Sequence, residues 1–187
     1  DYIARQLRRW GGQYEYTKTV DNPYMDQLIE YLAENIPGSA DCSVVHGDLQ
    51  IANMMMHKEK AEVIGILDWE LSTLGCPLAD CAYLCRPYRD ALRGADLKAL
   101  GIPYEQDFVD TYCERTGRSG IDHWDYYLAF NMFKMAAILQ GIAKRVQDGT
   151  AASQHAEAAG SGAFNMAKLA WAQIDKTVNL DDLDLNQ

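Results

Sequence analysis

Asp48, Asn53 and Asp68 are three oxygen-bearing side chains set close together in the chain. Two of them stand in Val45-His46-Gly47-Asp48-Leu49-Gln50-Ile51-Ala52-Asn53, the third in Ile66-Leu67-Asp68-Trp69-Glu70. A further run, Gly75-Cys76-Pro77-Leu78-Ala79-Asp80, follows. Asp and Asn are common in turns, where they bond their own backbone, so any one alone says little. Together they supply what phosphoryl transfer from a nucleotide requires. One carboxylate orients the attacking hydroxyl and accepts its proton. An amide oxygen and a second carboxylate hold magnesium against the phosphates.

For that chemistry the second acid must fold back beside the first. The order His-x-Asp-x-x-x-x-Asn, then a strand, then Asp, is the one kinases use. β-type runs at residues 43–45, 52–57 and 62–67, with the charged turn Lys58-Glu59-Lys60, predict a small antiparallel ribbon carrying the loop. Helices surround it. Residues 1–10 read as one, closed by Gly11-Gly12. Asn22-Pro23 starts a second, with Met25, Leu28, Ile29, Leu32 and Ile36 at helical spacing and Pro37-Gly38 as its stop. Further helices are expected over 78–85, over 104–116 ending at Gly117, over 123–147 capped by Asp122, and over 155–176. The acidic segment 181–187 is expected to fray. The predicted class is α+β, mostly α.

Composition excludes several partners. The 187 residues carry 17 Lys and Arg against 27 Asp and Glu, a net charge of −10. Phosphate backbones and anionic membrane surfaces call for the opposite sign, so neither nucleic acid nor membrane is an expected partner. No apolar run reaches the ~20 residues of a membrane span. The most apolar stretch, residues 126–143, is interrupted by Asn131, Lys134 and Gln140. No signal peptide is visible, and a cytoplasmic location is expected. Cysteine number is odd, with no Cys-x-x-Cys pair. Cys76, Cys81 and Cys85 are close enough to suggest metal ligands, but the i, i+4 spacing of Cys81 and Cys85 in an apolar helical pattern favours small core residues.

With these residues in view, the chain resembles the aminoglycoside phosphotransferase and choline kinase group of small-molecule kinases, which have a protein-kinase-like fold. Leu67-Asp68-Trp69-Glu70-Leu71-Ser72-Thr73-Leu74-Gly75 followed by Pro77-Leu78-Ala79-Asp80 looks like the branch associated with acyl-CoA dehydrogenases. Asp107-Phe108-Val109, the stretch 112–118, and Ile138-Leu139-Gln140-Gly141-Ile142 with Lys144-Arg145 are similar to that branch too. The likeness runs from about Trp10 to Ile174.

The resemblance implies ATP and Mg²⁺ as cofactors, Asp48 as catalytic base, and Asn53 and Asp68 as magnesium ligands. His46 would shape the catalytic loop by packing and hydrogen bonding. Asp80 would bond the loop backbone, its other reading being an exposed helical acid. Glu70 would be a supporting group. Relatives in this branch often carry Arg and Asp where this chain has Gln50 and Ala52, which puts the rigidity of the loop in question.

The resemblance also implies a nucleotide-covering loop and a phosphate-pairing lysine, and neither is found in the sequence. Residues 1–176 are therefore expected to form the C-terminal lobe alone, with 177–187 an acidic tail and the N-terminal nucleotide lobe absent. The surface facing that lobe is expected to be exposed and apolar, inviting self-association or another partner. The acceptor is expected to be a small molecule bearing a hydroxyl, either a hydroxyacyl compound or an aminoglycoside-like one. Arg86, Arg89 and Arg93, and Lys134, Lys144 and Arg145 on the long helix, read either as anion-binding groups or as solvated surface charge. Asp125, Tyr126 and Tyr127 read as acceptor-cleft residues or, for the tyrosines, as core or rim aromatics. The competing function is a truncated, non-catalytic kinase-like module for binding or assembly.

Overall fold

One long helix organises the molecule. The computed structural model describes residues 1–38, 41–151, 156–178, 180 and 183. Its elements in order are α1 (Tyr2–Thr17), α2 (Pro23–Glu34), β1 (Ser43–Val45), β2 (Met54–Met56), β3 (Val63–Ile66), β4 (Thr73–Gly75), α3 (Pro77–Cys85), α4 (Glu105–Thr116), α5 (Trp124–Gln147), α6 (Ala156–Ser161) and α7 (Ala163–Ile174). Helix α5 is apolar on every side in its first half, where Tyr126 to Lys134 are all buried. Such a helix belongs inside a bundle. It packs against α1, α3, α6 and α7.

Helix α1 begins where the Asp1 carboxylate accepts the Ile3 N–H at 2.9 Å. It does not stop at Gly11-Gly12, as the sequence suggested, but runs on to Thr17. Ile3, Leu7, Trp10 and Tyr14 form one buried face, and burial of Tyr14 outweighs the roughly 1 kcal/mol that each helical glycine costs. Helix α2 starts as expected, with Asn22 accepting from Tyr24 N–H at 3.2 Å and Pro23 in the first turn. It ends at Glu34, before Ile36.

The strands form two separate two-stranded antiparallel ribbons, β1–β4 and β2–β3, not one. The first pairs Ser43 with Gly75 and Val45 with Thr73; the second pairs Met54 with Ile66. Strand β4 was not anticipated, because Thr73-Leu74-Gly75 is too short to show alternation. Ala52 and Asn53, expected in a strand, lie in a 3₁₀ turn, Ile51–Asn53. Val44, Met55, Met56, Val63, Ile64 and Leu74 are exposed on these ribbons, and Ile51 on the 3₁₀ turn before β2.

Gly117 caps α4 in the left-handed conformation, as its position suggests. Asp122 does not cap α5; His123, at φ +58°, occupies that position. The single helix expected over 155–176 is two, α6 and α7, broken at Gly162, and His155 lies outside the described residues. Gly160 lets α6 touch α5: a Cβ there would sit 2.8 Å from Ala143 Cα. Of the tail expected to fray, residues 181–182 and 184–187 lie outside the described residues. Leu183 does not fray: it packs against the core, and Arg93 donates to its carbonyl. Cys76, Cys81, Cys85 and Cys113 are buried and Cys42 is exposed. Among the described residues no helix is long and apolar enough to cross a membrane.

Candidate active site

Strand β1 delivers the chain to the loop at His46, which is 2% exposed. The His46 ring bridges two segments. Its Nδ1 accepts the Asp48 N–H at 3.2 Å, and its Nε2 lies 2.8 Å from the Leu67 carbonyl. An acceptor at Nδ1 assigns the proton to Nε2, which then donates to Leu67. Both nitrogens are occupied by backbone groups, so His46 is placed as a brace. Gly47 adopts φ +83°, and a Cβ there would lie 2.8 Å from the Leu71 carbonyl oxygen. Asp80, in the first turn of α3, accepts the N–H groups of His46 at 2.5 Å and Gly47 at 3.0 Å.

Asp48 follows, partly exposed. Its Oδ2 accepts from Asn53 Nδ2 at 3.0 Å and Gln50 Nε2 at 2.9 Å. Asn53 Nδ2 also donates to the Asp48 carbonyl at 2.9 Å. Gln50 thus ties the loop. Asn53 reaches the second acid through its own backbone: its carbonyl accepts the Leu67 N–H at 2.8 Å. Leu67 is therefore held by Asn53 on one side and His46 on the other. Asp68 comes next, at φ +65° and ψ +54°. A left-handed non-glycine residue is strained by about 1–3 kcal/mol, and such strain concentrates at functional positions. The Asp68 carboxylate makes no hydrogen bond or ion pair among the described residues. Glu70 is exposed on the adjoining 3₁₀ turn, Trp69–Leu71.

One residue at the site, Tyr83, escaped sequence reasoning, and so did the role of another, Lys134. Tyr83 on α3 is buried beside Asp48, and burial with the neighbouring Asp48 carboxylate pushes its hydroxyl well above the usual tyrosine range. Lys134, for which the sequence left an anion-binding group and solvated surface charge open, is neither: it is 6% exposed and donates to the Gly47 carbonyl. The signal was present: Asn131, Lys134 and Gln140 interrupt an apolar helix, and all three are buried and bonded to backbone carbonyls.

The candidate acceptor residues do not all meet. Arg86 pairs with Asp90, lies 5.8 Å from the Tyr83 ring centre and feels the Asp48 charge. Arg89 turns away, to Glu105 and Gln173. Asp125 bonds Gln173 and Lys176. Arg89 and Asp125 line a cavity of about 450 Å³ with Tyr88, Arg93 and Lys176. Tyr126 is a correction: it is 5% exposed and its hydroxyl donates to the Leu32 carbonyl at 2.7 Å, joining α5 to α2 in the core. Tyr127 is likewise buried, against Cys76.

The profile described as the phosphotransferase enzyme family matches residues 1–117, which carry the loop, Asp68 and Asp80. The chain belongs to this family. It is 44% identical over 179 residues to mouse acyl-CoA dehydrogenase family member 10, covering 91% of this chain and 17% of that protein. It is 35% identical over 161 residues to human acyl-CoA dehydrogenase family member 11, covering 82% of this chain and 21% of that one. The chain thus spans only about a fifth of these curated relatives. Among solved structures it is similar to a Ralstonia eutropha protein assigned as an aminoglycoside phosphotransferase, at TM-score 0.87 and 45% identity, covering 92% of this chain and 55% of the other.

For this phosphotransferase-family chain, magnesium is the metal to test against the side chains present. The Asn53 amide nitrogen is spent on Asp48, which leaves its Oδ1 as an open acceptor. The Asp68 carboxylate is uncommitted. A hard cation that keeps several waters and takes one or two protein oxygens fits this donor set.

Proposed function

We propose that this chain carries the catalytic loop of an ATP- and Mg²⁺-dependent phosphotransferase that phosphorylates a hydroxyl group of a small molecule. One observation carries the reading: Asn53 joins Asp48, by its side chain, to the segment bearing Asp68, by its carbonyl. Base and metal ligands are thereby set by one short bonded circuit.

In this reading the acceptor hydroxyl bonds to the Asp48 carboxylate. As its oxygen forms a bond to the γ-phosphorus, the bond from that phosphorus to the bridging oxygen breaks and ADP leaves; the hydroxyl proton passes to Asp48. Asn53 and Gln50 keep the carboxylate aimed. Asn53 Oδ1 and the Asp68 carboxylate would hold magnesium, which when bound supplies charge neutralisation on the phosphates. Glu70, on the exposed turn that follows Asp68, is read as a supporting acid.

The acceptor is read as a hydroxyacyl compound, supported by relatives named as acyl-CoA dehydrogenase family members, with an aminoglycoside-like compound as the other candidate from the solved neighbour. Arg86, which feels the Asp48 charge, is the candidate cation for such an acceptor. The exposed apolar residues of the ribbons are read as covered in the working protein by a nucleotide-binding lobe or a second copy. That same exposed surface favours the second reading, a non-catalytic binding module. Asp48→Ala separates the two. A phosphotransferase loses about 10²–10⁴-fold in turnover with its melting temperature kept; a binding module is indifferent to the substitution in every binding assay.

A further inference from the structure

Lys134 lies on the part of α5 that packs against α1 and α3. No other lysine or arginine among the described residues is as enclosed. Its ammonium sits 4.5 Å from the centre of the Tyr83 ring and 5.8 Å from that of Trp10. Burial pushes its pKa down, while the Asp48 and Asp80 carboxylates favour the charged form. Taking an ammonium out of water is costly unless it is paired and bonded. A methionine would fill the same space without that cost, so packing alone does not account for the charge.

The backbone bond shows what the charge holds. Lys134 donates to the Gly47 carbonyl. That carbonyl shares a peptide plane with the Asp48 N–H, whose hydrogen goes to His46 Nδ1. The plane is thus gripped at both ends, and the Gly47 N–H on the preceding plane is gripped by Asp80. Rotation of the 47–48 plane is what would swing the Asp48 carboxylate away from Asn53. One cation set between Asp48 and Asp80 also offsets the repulsion of two carboxylates around the same short loop.

We infer that Lys134 is a positioning residue for Asp48: its ammonium locks the Gly47–Asp48 peptide plane against His46 and so keeps the carboxylate on Asn53. The inference rests on the reading of Asp48 as the base.

Two variants of the whole chain test it, Lys134→Met and Lys134→Arg, by amide hydrogen exchange followed by NMR. In Lys134→Met the Gly47 and Asp48 amides exchange about tenfold faster or more, while Leu169 and Ala170 in α7 are unchanged. Lys134→Arg restores protection. With Mg-ATP and a hydroxyacyl-CoA as probe, Lys134→Met lowers kcat about 10–100-fold and leaves KM for ATP within about twofold. Unchanged loop amides overturn the inference; so does equal acceleration in loop and α7, which marks a packing role only. If Lys134→Met does not fold, the wild-type ammonium resonance decides. Over the face of Tyr83 it is shifted upfield and slow to exchange with water; an ordinary, fast-exchanging signal overturns the inference. Absent turnover in the wild type with the exchange pattern intact removes the base reading and leaves the placement of Lys134 standing.

Discussion

Asp80 and Gly47 are joined by a 3.0 Å hydrogen bond from the Gly47 N–H to the Asp80 carboxylate, and the same carboxylate takes the His46 N–H. A helix first turn thus holds the loop that leads into Asp48 through its backbone. Asp80→Ala leaves two donors without their charged acceptor, at a cost of about 3 kcal/mol. For a chain of this size the melting temperature falls by about 6–12 °C. Thermal unfolding followed by circular dichroism checks this. A shift below about 2 °C means that Asp80 contributes little to the loop.

Gly47→Ala meets two obstacles at once. Its φ of +83° is one that alanine rarely adopts, and the added Cβ would lie 2.8 Å from the Leu71 carbonyl oxygen. The expected cost is about 2 kcal/mol or more. The loop must move to relieve it, so turnover falls more steeply than stability does. Comparing kcat with the urea midpoint of the same variant separates the two effects. A variant that turns over normally contradicts the loop geometry.

Tyr126→Phe removes the hydroxyl that reaches the Leu32 carbonyl at 2.7 Å. A buried acceptor is left unpaired, and about 1–2 kcal/mol of stability is lost. Because Tyr126 belongs to the core, KM for the acceptor stays unchanged. Urea unfolding and steady-state kinetics measured together test this, and a raised KM with normal stability would return Tyr126 to the acceptor cleft.

Much of this arrangement could be read from residue order, because its determinants are local. Asn22-Pro23 caps within its own turn, Gly117 ends α4 by its own φ, and the spacing of Asp48, Asn53 and Asp68 follows the chain directly. The misreadings are cases where a distant partner decides. Gly11-Gly12 remain helical because Trp10 and Tyr14 on either side of them are buried. Tyr126 was ambiguous because Leu32 is its partner. Lys134 was left between anion binding and surface charge because its partners, Gly47 and Tyr83, are remote in sequence.

Alkaline pH tests the packing of the aromatic side chains. Burial, with the nearby Asp80 charge adding to it, pushes the Tyr2 hydroxyl up to about 12, and burial raises Tyr83, Tyr126 and Tyr127 as well. Between the unfolded tyrosine value of about 10 and the folded value, the native state binds more protons than the unfolded one. Their contribution is therefore complete below about pH 10 and declines as pH rises toward 12 and beyond. Tyrosinate absorbance and urea midpoints, taken across this range, should show late ionisation and falling stability. Full ionisation near pH 10 without loss of fold would contradict the burial of these side chains.

Calorimetric titration of ATP tests most directly the proposal that Asn53 and Asp68 hold magnesium. The titration is run on the whole chain, and on a longer form where one exists, with and without Mg²⁺ and beside Asp68→Asn. The account predicts ATP binding that requires Mg²⁺ and is lost in Asp68→Asn. Binding that ignores both the metal and the substitution would contradict it.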